Sequence, residues 1–556
     1  MNNTQGPKIT NQYKGIPGKV TLSKDDHIAA WQRLQYGMFI HWGLYSELGG
    51  KWQGEDVTKG YSEQIQMWAN IDGEEYGKVA KSFTADQFDP KEICQLAKDA
   101  GMEYIVITSK HHDGFAMFDT ETTDYNIVKQ TPFGKDPLKM LSDECQRQGL
   151  KFGVYFSLID WDAGHAFDQN NNNEIPESMN TMIEGQLREL MTNYGPIAEV
   201  WFDMSSPSEA QSVKFKNIVH DLQPGAAVNG RIWNNMGDFR TLGDNQVPEH
   251  MLEGAWQTPA SIYHATWGYR EWQKRDDFEG KVRDLTVGLT SVIARGGNYL
   301  LNIGPRGDGS IVPFEANVLR DMGKWINRHQ GAVLGASGTS FGSQPWGEVT
   351  VNDQTIYLHI MNWPENGTLE LGGLATDVVQ VVEDGSATAL NWSKEDDHLI
   401  ITLPKTPNDD ILPVIAVQLA GDLQVIPSHV TFQSADHVWD IKPDHLHLRQ
   451  SYADEGNYNS LVRTTVQQSA YFANKKEGHV EVTVDCSVKD EKRNYCVKVG
   501  DTAIQVSGRA LTSTTIGPFP VKGGEIIPIS VTLDKPNHIN EDMNMTCHSI
   551  HVQYTK

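Results

Sequence analysis

Apolar runs that stop dead in a polar or aromatic side chain constrain this chain more than any other feature. The run YGMFIHWGLYS at residues 36–46 buries a β-type stretch, then presents His41 and Trp42 and breaks at Gly43. ITSKHHDGF ends a second run in His111 and His112, KFGVYFS a third with Tyr155, and IAEVWFDM a fourth with Asp203. VNGRIW places Arg231 after a fifth run, and GAWQTPA places Gln257 after a sixth. One such group at the carboxyl end of each successive strand is how a (β/α)8 barrel assembles an active site.

The intervening segments agree. PKEICQLAKDAG puts Ile93, Leu96 and Ala97 on one helical face and closes with Gly101, a C-terminal helix signal. DPLKMLSDECQRQGL and EGQLRELMTNYG repeat the design, each feeding the next apolar run. Strand, helix, glycine, strand at this cadence predicts a parallel sheet with crossover helices. A last barrel segment is expected at TSVIARGGNYLLNIGPRGDGSI (290–311), followed by a helix. The polar stretch FDQNNNNEIPES (167–178) is read as a loop.

After residue 340 the period changes to two. GEVTVNDQTIYLHIMNW and LPVIAVQLAG alternate apolar and polar residues, as in an antiparallel β-domain. The expected organisation is a (β/α)8-like catalytic barrel over 1–340, a β-sandwich over 341–422 and a further β-sandwich over 423–556. That last unit is read as a packing module or spacer, with carbohydrate binding through Trp439, Tyr452 or Tyr458 as the alternative.

A chain of 556 residues with net charge −25 is repelled by nucleic acid and by anionic membrane surfaces, so neither is an expected partner. No apolar run is long enough to span a bilayer. The opening MNNTQGPKIT lacks an apolar signal region; the expected compartment is periplasmic or extracellular if a signal was trimmed, and cytoplasmic otherwise. The five cysteines suit neither a disulfide framework nor a zinc site, and Cys486 and Cys496 are open to pairing across a hairpin or to remaining free thiols.

Asp203 is the strongest chemical candidate, because an isolated carboxylate ending a buried strand is costly unless paired or functional. Arg231 is its natural partner, since a nearby cation keeps a carboxylate ionised. His111 and His112, being adjacent, reach one cleft only if their strand ends between them. His41 and Asp113 could complete a metal set with them, but no spaced ligand motif supports one, and polyol recognition by imidazoles and stacking aromatics fits better. Trp52, Trp161 and Trp267 are candidates for the cleft wall. No metal or organic cofactor is expected.

YGMFIHWGLYS, YSEQIQ, YIVITSKHHDGFAMFDTETTDYNIV, EVWFDM, VNGRI, GDNQVP, WQTPASIYHATWGY and GGNYLLNIGPRGDG together resemble the α-L-fucosidases of glycoside hydrolase family 29, in order from about residue 30 to 335. The resemblance implies an exo-acting, retaining hydrolase that releases terminal L-fucose from a fucosylated oligosaccharide or glycoconjugate. It implies Asp203 as nucleophile, with His41, Glu63, His111, His112, Tyr155, Arg231 and Trp267 around the sugar. Two positions depart from the pattern: Gln64 follows Glu63 where tryptophan is frequent, and Gln257 stands where relatives commonly carry the acid/base glutamate. An amide there predicts a disabled enzyme, an engineered Glu→Gln exchange ranking first. The alternatives are another carboxyl (Glu253, Glu249, Glu55 or Glu63) as acid/base, a non-hydrolytic fucose-binding protein, or a hydrolase of a related sugar such as an α-L-galactoside.

Overall fold

The computed structural model describes residues 8–165, 173–204, 206–248, 251–252, 254–435, 437–454, 461–534 and 542–555. Eight parallel strands form one sheet in chain order: β1 (Tyr36–Ile40), β2 (Tyr104–Lys110), β3 (Lys151–Ser157), β4 (Ile197–Asp203), β5 (Ala227–Val228), β6 (Arg240–Thr241), β7 (Trp256–Ser261) and β8 (Asn298–Ile303). β8 pairs with β1. The seam between β5 and β6 closes through a single parallel bridge, Asn229 to Phe239, and by Asp238 N donating to Val228 O at 2.7 Å. The sheet is therefore a ring, as its apolar runs anticipated.

Helix α1 (Asp26–Gln32) precedes β1. Helices α2 (Pro90–Asp99), α3 (Pro137–Gln148), α4 (Asn180–Asn193), α5 (Glu209–Leu222), α6 (Phe278–Ala294) and α7 (Pro313–Arg328) pack outside. Two of them start alike: Asp89 and Asp136 each accept a backbone N–H, and a proline fills the first helical position, the arrangement that satisfies orphan donors where proline's missing N–H costs nothing. α3 stops at Gly149, whose φ of 81° is the left-handed cap a glycine adopts readily. Among the described residues no α-helix separates β5 from β6 or β6 from β7. Those two strands are only two residues long, too short to carry a periodic signal.

Strand alternation sorts the barrel. Met38, Ile40, Val200 and Phe202 face the helices, whereas Phe39, Tyr104, Val106, Tyr155, Trp201 and Leu300 fill the interior. The interior is a packed core at its floor, leaving the site at the carboxyl ends.

Residues beyond the barrel form two β-sandwiches. The first pairs a six-stranded with a three-stranded sheet between Ser337 and Leu419 around Val351, Leu358, Leu369, Ile401 and Val417. Its strand Gly347–Asn352 departs from the expected polar-out alternation: Glu348 and Thr350 are buried because they face the barrel, Glu348 pairing with Arg295 at 2.6 Å and Thr350 donating to Ala332 O. The second joins a four-stranded and a five-stranded sheet between Val438 and Tyr554. The first described residues lie outside the barrel. Ile16–Pro17 pair antiparallel with Gln424–Val425, and Lys14 N donates to Gly524 O, so this segment straps both sandwiches.

Trp439 removes one candidate from the carbohydrate-binding alternative. It is fully buried in the second sandwich against Phe472 and Tyr554, its indole N–H donating to Ala473 O at 2.8 Å, so it offers no surface to a ligand. Tyr458 and the side chain of Tyr452 lie outside the described residues. All five cysteines are free; Cys486 lies opposite Cys547, not Cys496. Replacing Trp439 with Ala should cost about 3–5 kcal/mol, the usual loss for emptying a large aromatic site. Calorimetry should show one transition moved down while the barrel's transition stays in place.

Candidate active site

At the carboxyl ends of the strands, Phe39, His41, Tyr61, Glu63, Gln64, His111, His112, Trp201, Asp203, Met204, Arg231, Asp244 and Trp267 line one cavity. Seven of the sequence-predicted residues thus meet at one place. An eighth, Tyr155, stands just beneath and reaches in through its hydroxyl.

Asp203 is the last residue of β4 and lies beside Ser157 of β3. Its Oδ1 accepts from Arg231 Nη1 at 2.7 Å and its Oδ2 from Tyr155 OH at 2.8 Å. Burial alone would push this carboxyl up, but the Arg231 charge and these two hydrogen bonds hold it below its ordinary value. His112 Nε2 stands 3.9 Å away; burial pushes that imidazole down to about 4, so it is neutral at pH 7 and Arg231 carries the effect. Met204 follows at φ 48°, a left-handed conformation uncommon for a side chain of this size.

The histidines reach one cleft because β2 ends at Lys110, before both of them. Their ring centroids lie 3.8 Å apart, the planes tilted by 34°. His112 Nδ1 meets Ser157 Oγ and His41 Nδ1 meets Asn302 Oδ1 at 2.7 Å, whereas His111 Nδ1 is buried without a hydrogen-bond partner. Burial pushes all three imidazoles down, His41 to about 3. Three neutral imidazoles, one with an unanswered nitrogen, ask for a ligand rich in hydroxyl groups. Asp113 is turned elsewhere: it accepts from Tyr76 OH and Phe115 N and does not join His41.

Glu63 fixes the far wall. Its Oε2 accepts from Trp267 N at 3.0 Å and Gly268 N at 2.9 Å, and burial pushes it up to about 7 despite those bonds. Gln64 also lines the cavity, its Oε1 held by Trp68 Nε1. Trp161 packs edge-on against His112. Trp52 is half-buried on a short strand and is not part of the lining.

Gln257 is where the structure departs from expectation. It is the second residue of β7, near the amino end and so toward the floor of the barrel. It is fully buried, and its amide is committed: Nε2 donates to Glu199 at 3.0 Å and to Tyr104 OH at 3.1 Å, while Oε1 accepts from Trp201 Nε1 at 2.9 Å. Glu199 in turn accepts from Trp31 Nε1 at 2.6 Å. Gln257 therefore supports the underside of Trp201 and does not line the cavity. Glu55 is exposed on a short strand, Glu55–Asp56, away from the lining, and Glu249 and Glu253 lie outside the described residues.

The residue that sequence reasoning missed is Asp244. Its Oδ1 accepts from Arg231 Nη2 at 2.8 Å, so one guanidinium fork spans two of the three carboxyl groups that line the cavity. Its signal was present in GDNQVP, three residues beyond β6, but a two-residue strand announces nothing.

A family model described as "Alpha-L-fucosidase" matches residues 9–331, and one described as "Alpha-L-fucosidase C-terminal domain" matches 346–418. The tissue alpha-L-fucosidase of Homo sapiens is 28% identical over 413 residues, covering 68% of this chain and 86% of that protein. Among solved structures, alpha-L-fucosidase isoenzyme 1 of Paenibacillus thiaminolyticus is 27% identical with a TM-score of 0.62, over 71% of this chain and 98% of its own. Lactobacillus casei AlfC, in a mutant form in complex with 4-nitrophenyl-α-L-fucopyranoside, is 33% identical with a TM-score of 0.51, over 55% of this chain and 99% of its own. The structure from Vibrio sp. strain EJY3 covers 98% of this chain at a TM-score of 0.68 and 24% identity, a likeness of fold.

The Gln257 network yields a test. Gln257→Glu would press a second carboxyl against Glu199, which burial already pushes up to about 7, and would leave Glu199 without its amide donor. Lost buried hydrogen bonds of this kind cost about 1–3 kcal/mol, more for charged groups. The variant should melt several degrees lower, with the deficit larger at pH 8 than at pH 5, where the two carboxyls can share protons.

Proposed function

This chain belongs to the alpha-L-fucosidase family and is a glycoside hydrolase, and from that premise we propose that it is an exo-acting, retaining α-L-fucosidase, competent as it stands, with Asp203 as nucleophile and Asp244 as acid/base. The observation that carries this is the Arg231 fork, which holds two carboxylates one guanidinium apart in a single cavity. Retaining glycosidases place their two carboxyls about 5–5.5 Å apart, and a planar fork bridging both sets a spacing of that order.

In the first step Asp203 attacks the anomeric carbon. The bond to the aglycone oxygen breaks, and Asp244 gives that oxygen a proton. In the second, Asp244 takes a proton from water, whose oxygen attacks the same carbon and releases Asp203 with net retention. Arg231 keeps the nucleophile ionised, and Tyr155 aims it. His41, His111, His112 and Glu63 provide acceptors and donors for sugar hydroxyls. Phe39, Trp201 and Trp267 give the apolar wall that a 6-deoxy sugar's methyl requires. The lining residues from His41 to Trp267 are mostly buried, which supports a blind pocket for one terminal fucose of a fucosylated glycan.

Asp203→Asn should abolish hydrolysis of both aryl and natural fucosides. Asp244→Asn should lower turnover of a fucosyl disaccharide by roughly 10²–10⁴-fold and that of an aryl fucoside much less, because an aryl oxide leaves without protonation. Azide should restore the aryl reaction as the α-fucosyl azide. If Asp244→Asn keeps full activity while Glu63→Gln shows this pattern, Glu63 is the acid/base instead. Tight fucoside binding without turnover by the unaltered chain would support a binding protein, and preference for an α-L-galactoside would move the substrate.

A separate expectation concerns pH. The acid limb of kcat/KM should lie below the ordinary aspartate range, because the ionised form of Asp203 is favoured by Arg231. Arg231→Met should move that limb upward, as measured by initial rates on an aryl fucoside.

A further inference from the structure

At the opposite end of the barrel from the cavity, three side chains that the proposed reaction does not use come together. His27 lies in the first turn of α1, His220 in the last turn of α5, and Asp238 on the segment between β5 and β6. We propose that His27, His220 and Asp238 form a binding site for a divalent transition ion of the zinc class, clamping α1 to the barrel floor. One ligand atom from each of the three lies within 4.8 Å of the other two.

The hydrogen-bond pattern is that of a prepared ligand set. Asp25 Oδ1 sits 2.6 Å from His27 Nδ1, which leaves Nε2 as the available nitrogen. That Nε2 is shielded from water and has no hydrogen-bond partner. A carboxylate on one ring nitrogen and a metal on the other is the usual outer-shell arrangement of a metal-bound histidine. His220 Nε2 is 2.8 Å from Asp238 Oδ2, and Val228 N donates to the same oxygen, fixing the carboxylate. The two rings meet edge to face at 5.7 Å.

Binding at bond lengths of about 2.0–2.2 Å requires the three atoms to draw in by roughly an ångström or more. The imidazoles can do this, being 23% and 27% exposed, while Asp238 is 7% exposed and braced by Lys216 at 2.9 Å. Two imidazoles and one carboxylate favour zinc, cobalt or nickel over calcium or magnesium, which prefer all-oxygen shells. The partly open side leaves a fourth position for water. The site is remote from Asp203, so its role is to tie a short helix down.

The test uses the full chain after treatment with a chelator. Addition of Co2+ should give a saturable visible absorption at one equivalent, which Zn2+ abolishes, and Zn2+ should raise the melting temperature. His27→Ala and His220→Ala should each weaken Co2+ binding at least tenfold. Asp25→Asn, which touches no ligand atom, should weaken it about 10–100-fold and keep the fold testable if the alanine variants melt. Hydrolysis of an aryl fucoside should be unchanged throughout. Absence of a stoichiometric Co2+ spectrum in the unaltered chain overturns the proposal, as does a spectrum that survives all three variants.

Discussion

A guanidinium between two carboxylates sets the terms for everything at the mouth of this barrel. Arg231 reaches Asp203 with one nitrogen and Asp244 with the other, and it stacks over Trp201 at 4.7 Å. Without that cation, the two carboxylates would face each other across one cavity with nothing to offset their repulsion. With it, Asp203 stays charged in surroundings that otherwise suppress charge: the three imidazoles nearby are neutral. The polar groups at the mouth are therefore divided between a triad centred on the Arg231 cation and a hydrogen-bonding wall whose imidazoles are neutral, which is the division a hydrolase of an uncharged sugar needs.

The ring of strands makes that triad geometrically possible. Asp203, Arg231 and Asp244 lie at or just beyond the ends of three successive strands, and the seam that joins two of them is a single bridge between Asn229 and Phe239. On its other side Asn229 is fixed to β4 by its side chain, accepting from Phe202 N and donating to Phe202 O. Beneath, Trp31, Glu199, Gln257 and Trp201 form a buried polar chain in which each donor has an acceptor. Such networks rigidify a core when fully satisfied. Here the chain fixes the plane of Trp201, on which the Arg231 guanidinium rests.

Much of this was legible because barrels repeat. The strand-end positions of His41, His111, His112, Asp203 and Arg231 follow from where apolar runs stop, and the parallel sheet follows from the helices between them. What the sequence hid was height within the barrel. Gln257 and Asp203 both face inward, but Gln257 opens its strand and Asp203 closes one. A six-residue strand of mixed polarity does not say which end is the mouth. Asp244 escaped notice because β6 is two residues long. In the sandwiches, alternation correctly signalled strands but not what covered each face. Glu348 and Thr350, polar positions of that alternation, meet the barrel's outer layer. Trp439 read as a surface aromatic and fills a core.

The strap formed by Ile16–Pro17 has a consequence for the life of the chain on the ribosome. Its pairing partner, Gln424–Val425, is synthesised roughly 400 residues later, a delay of about 20–80 s at ordinary elongation rates. Throughout that interval the barrel can close while its own leading segment has nowhere to dock. The pairing of Ile16–Pro17 is thus among the last contacts to form. Nascent chains arrested before residue 424 would be cut by protease at this segment first, and completed ones would resist.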